Sequence, residues 1–84
     1  MIATLKALRD KRAPAQLPAP AARQRIRKSY GVSQSDMASV LGVSRLTVSM
    51  WERGQTDPTP EHARRYAELL DQMDRENQSR REQS

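Results

Sequence analysis

Four side chains between positions 45 and 50 are of types that can meet a nucleic-acid base edge: Arg45, Leu46, Ser49 and Met50. A guanidinium at the start of a helix can donate two parallel hydrogen bonds to O6 and N7 of guanine. Leu46 or Met50 can pack on a thymine methyl group, and Ser49 can reach a base edge or a phosphate. Leu46 is the most telling of the four, because an apolar residue at an exposed helix start serves no solubility purpose. Around them stand polar residues suited to phosphate: Ser33, Gln34, Thr47, Arg53 and Gln55. Gln34 opens a helix, where free backbone N–H groups and the helix dipole attract an anion. Such contacts set register and supply affinity without reading sequence.

The rest of the chain offers no competing chemistry. His62 is the only histidine and cysteine is absent, so no zinc site can be assembled. No Ser/His/Asp set, paired-carboxylate pocket or phosphate-cradling glycine loop is present, so neither catalysis nor a metal or cofactor is expected. His62 is placed on the outer face of its helix. Asn77-Gln78-Ser79 matches a glycosylation acceptor, but no secretory signal accompanies it. Absence of cysteine and of any apolar run of membrane-spanning length fits a cytoplasmic protein without a membrane partner.

Charge is unevenly spread. Residues 1–28 hold eight Lys and Arg against Asp10 alone, whereas residues 57–84 are net acidic. A basic block is an electrostatic footprint for a polyanion. Lys6, Arg9, Lys11 and Arg12 form an N-terminal arm that can follow a DNA backbone or enter its minor groove. Ile2, Leu5 and Leu8 share a stripe at spacing three, which leaves packing on a partner subunit or a toxin as the alternative use of that arm.

Elements must hold these residues in place. Residues 1–20 read as a basic arm and a linker stiffened by Pro14, Pro18 and Pro20. Helix 1 is expected over 21–30, with Ala22, Ile26 and Tyr30 at spacing four. The pattern Gly-Val-Ser then occurs twice, at 31–33 and 42–44. Each copy supplies a glycine stop, an apolar residue facing inward and a serine cap. Asp36 follows Ser33 by three, as in a capping box. Helix 2 therefore spans 34–41 and helix 3 spans 45–53, ended by Gly54. Asp57 and Pro58 turn the chain, Thr59 caps helix 4 and Pro60 opens it. Ala63, Tyr66, Ala67, Leu70 and Met73 form its inner face. Residues 75–84 are entirely polar and read as a fraying end and a disordered tail. The fold class is all-α: a compact four-helix domain at 21–74 between a basic arm and a polar tail.

Two short helices joined by a tight glycine turn make a helix-turn-helix. Its steric slots are filled: Ala38 is small where the helices cross, and Gly42 can take positive φ in the turn. Met37, Leu41, Val43, Val48 and Trp51 are apolar where the interior requires it.

Taken in order, Ile26-Arg27, Gly31-Val32-Ser33-Gln34, Met37-Ala38, Leu41-Gly42-Val43-Ser44, Val48, Trp51-Glu52-Arg53-Gly54 and Pro58 resemble the phage repressor and Cro type of helix-turn-helix, the XRE family. The resemblance covers roughly residues 21–73. It implies a compact domain that binds double-stranded operator DNA, usually as a symmetric homodimer, and so a transcription regulator of the repressor kind. It implies that Gln34 holds a phosphate and buttresses Arg45, and that Arg27 pairs with Glu52. Two features depart from the family pattern: Arg23 occupies a helix-1 position that is often apolar, and no fifth helix is evident after Leu70. Rival readings are an antitoxin that represses its own operon and binds a toxin, and an adaptor that keeps the fold but bridges proteins.

Overall fold

The computed structural model describes residues 17–83 as four helices, with the N-terminal arm and its cations Lys6, Arg9, Lys11 and Arg12 outside the described residues. Helix α1 spans Pro20–Tyr30, α2 Gln34–Leu41, α3 Arg45–Arg53 and α4 Pro60–Gln83. The boundaries of α2 and α3 are those expected from their caps. Ser33 Oγ accepts the backbone N–H of Asp36, whose carboxylate accepts the Ser33 N–H in return, completing the capping box. That backbone hydrogen bond holds the Asp36 carboxyl below its usual pKa. Ser44 Oγ does the same capping work for Thr47 N–H at the start of α3. At Gly42, φ is +73°, and the chain reverses within one residue while Ala38 O accepts from the N–H groups of both Gly42 and Val43.

The four helices close on Ile26, Met37, Ala38, Leu41, Val48, Trp51, Tyr66 and Leu70, with Val43, Leu69 and Met73 packed at the margin. α1 lies along α4, α2 crosses α3, and the two pairs share this core. Ala38 is buried in that core, on the helix that packs against α3. A larger side chain there must displace close-packed neighbours.

Three expectations are corrected. The first is the linker boundary at residue 20. α1 begins at Pro20, Leu17 packs against the core, and Pro18 O accepts a hydrogen bond from Arg23 Nε at 2.8 Å. The Pro20 ring also lies where a Cβ on Gly54 would come within 3.2 Å of it, so the end of the proline-rich stretch belongs to the folded domain. The second is the tail. Residues 75–83 continue α4, and Asn77 is only 4% exposed, donating Nδ2 to Ile26 O at 3.2 Å. Arg80 stacks over the Tyr30 ring and bonds Ser29 O, while Glu76 accepts the Tyr30 hydroxyl and raises its pKa. Asn77 and Arg80 satisfy carbonyls near the end of α1, a role that hydrophobic periodicity cannot signal. The third is His62. It is half-buried against the Trp51 ring, centroids 6.0 Å apart, with Nδ1 hydrogen-bonded to Thr59 Oγ1.

Candidate nucleic-acid interface

α3 is amphipathic in an unequal way. Val48, Ser49, Trp51 and Glu52 are buried, Thr47 and Met50 are half-buried, and Arg45, Leu46 and Arg53 are exposed. The residues expected to read bases are therefore not all on one open face. Arg45 and Leu46 are, with Leu46 61% exposed. Met50 sits at the edge. Ser49 is corrected: it is 5% exposed and lies inside. Hydropathy assigned a small polar residue to the outside, but Ser49 is three residues from Glu52 and adjacent to Val48, on the stripe that faces α1. A serine is short enough to be covered by such neighbours.

The C-terminal half of α3 is fixed by two buried arginines. Arg27 on α1 holds Glu52 with two parallel bonds, Nε to Oε2 at 2.5 Å and Nη2 to Oε1 at 3.0 Å, and gives Nη1 to Val32 O. Both side chains are nearly free of solvent. Charge-assisted bidentate geometry of this kind fixes orientation as well as distance. Arg23, which departs from the family pattern, donates Nη1 to Trp51 O at 3.0 Å and Nε to Pro18 O. Its guanidinium thus replaces an apolar contact with a clamp on a carbonyl near the end of α3.

From Glu52 the network runs outward. Gln34, at the start of α2, gives Nε2 to Glu52 Oε1 at 3.0 Å, and its Oε1 accepts from Arg45 Nη1 at 3.3 Å. The structure thus joins all four residues named by the family resemblance. Of the expected phosphate contacts, Gln34 stands beside Arg45. Arg53 and Gln55 lie exposed at the other end of α3, about 12 Å away at 1.5 Å per residue. Thr47 is engaged with Ser44 Oγ at 2.9 Å. Ser33 is exposed, but the Asp36 carboxylate on its own backbone places a negative charge at that spot. Gln24, Lys28 and Ser35, unmarked in the sequence reading, line a shallow depression together with Gln34 and Arg45. Gln24 and Lys28 share a face of α1 at spacing four, but only tertiary packing places that face against the start of α2.

Among the described residues no group of His, Cys, Asp or Glu is arranged to hold a metal ion, and no helix is long and apolar enough to cross a membrane. Two short helices set across a small-residue crossing, the second presenting an arginine at its open N-terminal end, define a helix-turn-helix DNA-binding module. A family model for the helix-turn-helix, of the Cro/C1 or XRE type, matches residues 24–74, and the chain belongs to that family. The family is one of DNA-binding transcription regulators, and this chain is a DNA-binding protein of that kind. Nothing matches among curated proteins or solved structures.

Proposed function

We propose that the chain recognises a specific double-stranded DNA sequence by placing α3 in the major groove, and represses transcription there. The observation that supports this best is the start of α3. Arg45 projects into solvent with one N–H tied to Gln34 and no other partner among the described residues, and exposed Leu46 stands next to it. A groove-facing helix uses its N-terminal residues on base edges. On this reading Arg45 bonds a guanine and Leu46 meets a thymine methyl, with Met50 alongside. Arg53 and Gln55 hold phosphate at the far end of α3, the backbone N–H groups at the start of α2, from Gln34 on, serve at the near end, and Lys28 adds charge to the same face. Ser49, being covered, takes no part in reading.

Repression is the simplest consequence of such occupancy. A bound domain excludes polymerase from an overlapping promoter, whereas activation needs a second surface that recruits it.

Selection from random duplex DNA tests the binding claim. A short enriched motif containing a G·C pair, bound at near-physiological salt, is the expected result. Equal binding to all sequences would overturn specific recognition. Placing the enriched site across a reporter promoter tests repression, and increased expression would overturn that part.

A further inference from the structure

Glu52 does not reach the exposed face of α3, yet it decides which way an exposed amide points. Paired with Arg27, it is a carboxylate and offers acceptors only. Gln34 lies 3.0 Å from Glu52 Oε1, so its NH2 group must face inward and its carbonyl oxygen outward. On the outer side stands Arg45, which has donors only and contacts that oxygen at 3.3 Å. The two demands agree, and together they fix the amide orientation without ambiguity. Every donor in the chain from Arg45 through Gln34 to Glu52 points inward.

We propose that buried Glu52 is a positioning residue for base selection, acting through the Gln34 amide to hold the Arg45 guanidinium where it can meet one base pair. The proposal rests on the reading of α3 as the groove-facing helix. Bidentate recognition of guanine requires two N–H groups of Arg45 in the plane of the base. With one further N–H anchored on Gln34, the side chain starts from a restricted set of rotamers. A neutral amide at position 52 would remove the constraint. Gln34 could then turn its NH2 outward, presenting a donor to a donor, and Arg45 would lose its anchor.

Two variants test this, Glu52→Gln and Gln34→Met, each alone and combined with Arg45→Ala. Base preference is measured by selection from random duplex DNA and by competition binding, with the folded fraction followed by Trp51 fluorescence. Each single variant is expected to lower preference at the base pair read by Arg45 about tenfold, within the range of a good bidentate contact, and to leave relative preference at the other positions unchanged. In the Arg45→Ala background neither should change preference further. Glu52→Gln also strips Arg27 of its partner and can unfold the domain. Gln34→Met leaves that pair intact and keeps the test decisive. A loss spread evenly over all positions, or an identical loss with and without Arg45, would overturn the proposal. If wild-type protein selects no motif, the reading of α3 fails first. If wild type selects one and Arg45→Ala alters a single base pair while both variants leave it untouched, this proposal alone fails.

Discussion

At its C-terminal end α3 is held by charges that solvent does not reach, and at its N-terminal end it holds a charge out to solvent. Arg27 spends three donors on fixed protein acceptors, and Arg23 spends two. Arg45 commits one N–H, at 3.3 Å, and Arg53 forms no hydrogen bond or ion pair among the described residues. These are the same residue type with opposite uses. A guanidinium saturated by protein acceptors orients an element, and one left mostly unsaturated can exchange water for a ligand's acceptors. The difference shows how a nine-residue helix can be both rigid and available: its anchored end and its exposed end are opposite.

Removing the anchor should produce the largest effect. Arg27→Ala leaves the Glu52 carboxylate buried without its cation, which typically costs about 3–5 kcal/mol and consumes much of a small domain's margin of about 5–15 kcal/mol. Urea unfolding followed by Trp51 fluorescence should show a large loss, and the paired change Arg27→Met with Glu52→Met should recover most of it. An unchanged midpoint for Arg27→Ala would mean the buried end is not an anchor.

A second route to the same end is steric. Ala38→Leu inserts methylenes where α2 crosses α3, an overpacking worth about 1–3 kcal/mol. Its melting temperature should fall. A wild-type value would mean that the crossing is loose enough to absorb a leucine.

The open end should behave differently. Arg45→Ala is expected to leave thermal stability unchanged while costing about 1–3 kcal/mol of discrimination at one base pair. Arg53→Ala should weaken binding to all sequences alike and lower the log–log salt slope by about 0.9. Isotherms at several salt concentrations on both variants separate reading from phosphate contact. A motif unaltered by Arg45→Ala would erase the functional contrast between the two ends.

The smallest effect lies in the core beside the anchor. Burial pushes the Tyr66 hydroxyl up to about 12, with the Glu52 charge adding to the shift. The unfolded chain ionises near the ordinary value of 10.0 and the fold only near 12, so the neutral phenol's contribution is complete below pH 10 and is lost as pH rises towards 12. Tyr66→Phe should flatten that alkaline decline in melting temperature. An alkaline decline identical to wild type would show that Tyr66 does not titrate against the buried network.

Local signals in the sequence determined much of this molecule. The repeated Gly-Val-Ser segments specify where α2 and α3 begin and end, because caps and left-handed turns act over a few residues and need no tertiary partner. Ala38, Val48 and Trp51 were readable as interior because apolar spacing follows the helix period. Arg45 stood out by its place at the start of α3, and the Arg27–Glu52 pair came with the family resemblance; the structure forms that pair and leaves Arg45 exposed beside Gln34. Only the tertiary structure decided the rest. It covered Ser49, turned Arg23 inward onto Trp51 O, and docked Asn77 and Arg80 on α1. In each case a polar side chain found its partner 28 to 51 residues away or was covered by a neighbouring element. Hydropathy assigns such residues to solvent by default. Only the meeting of distant segments supplies the acceptors that make polar burial favourable.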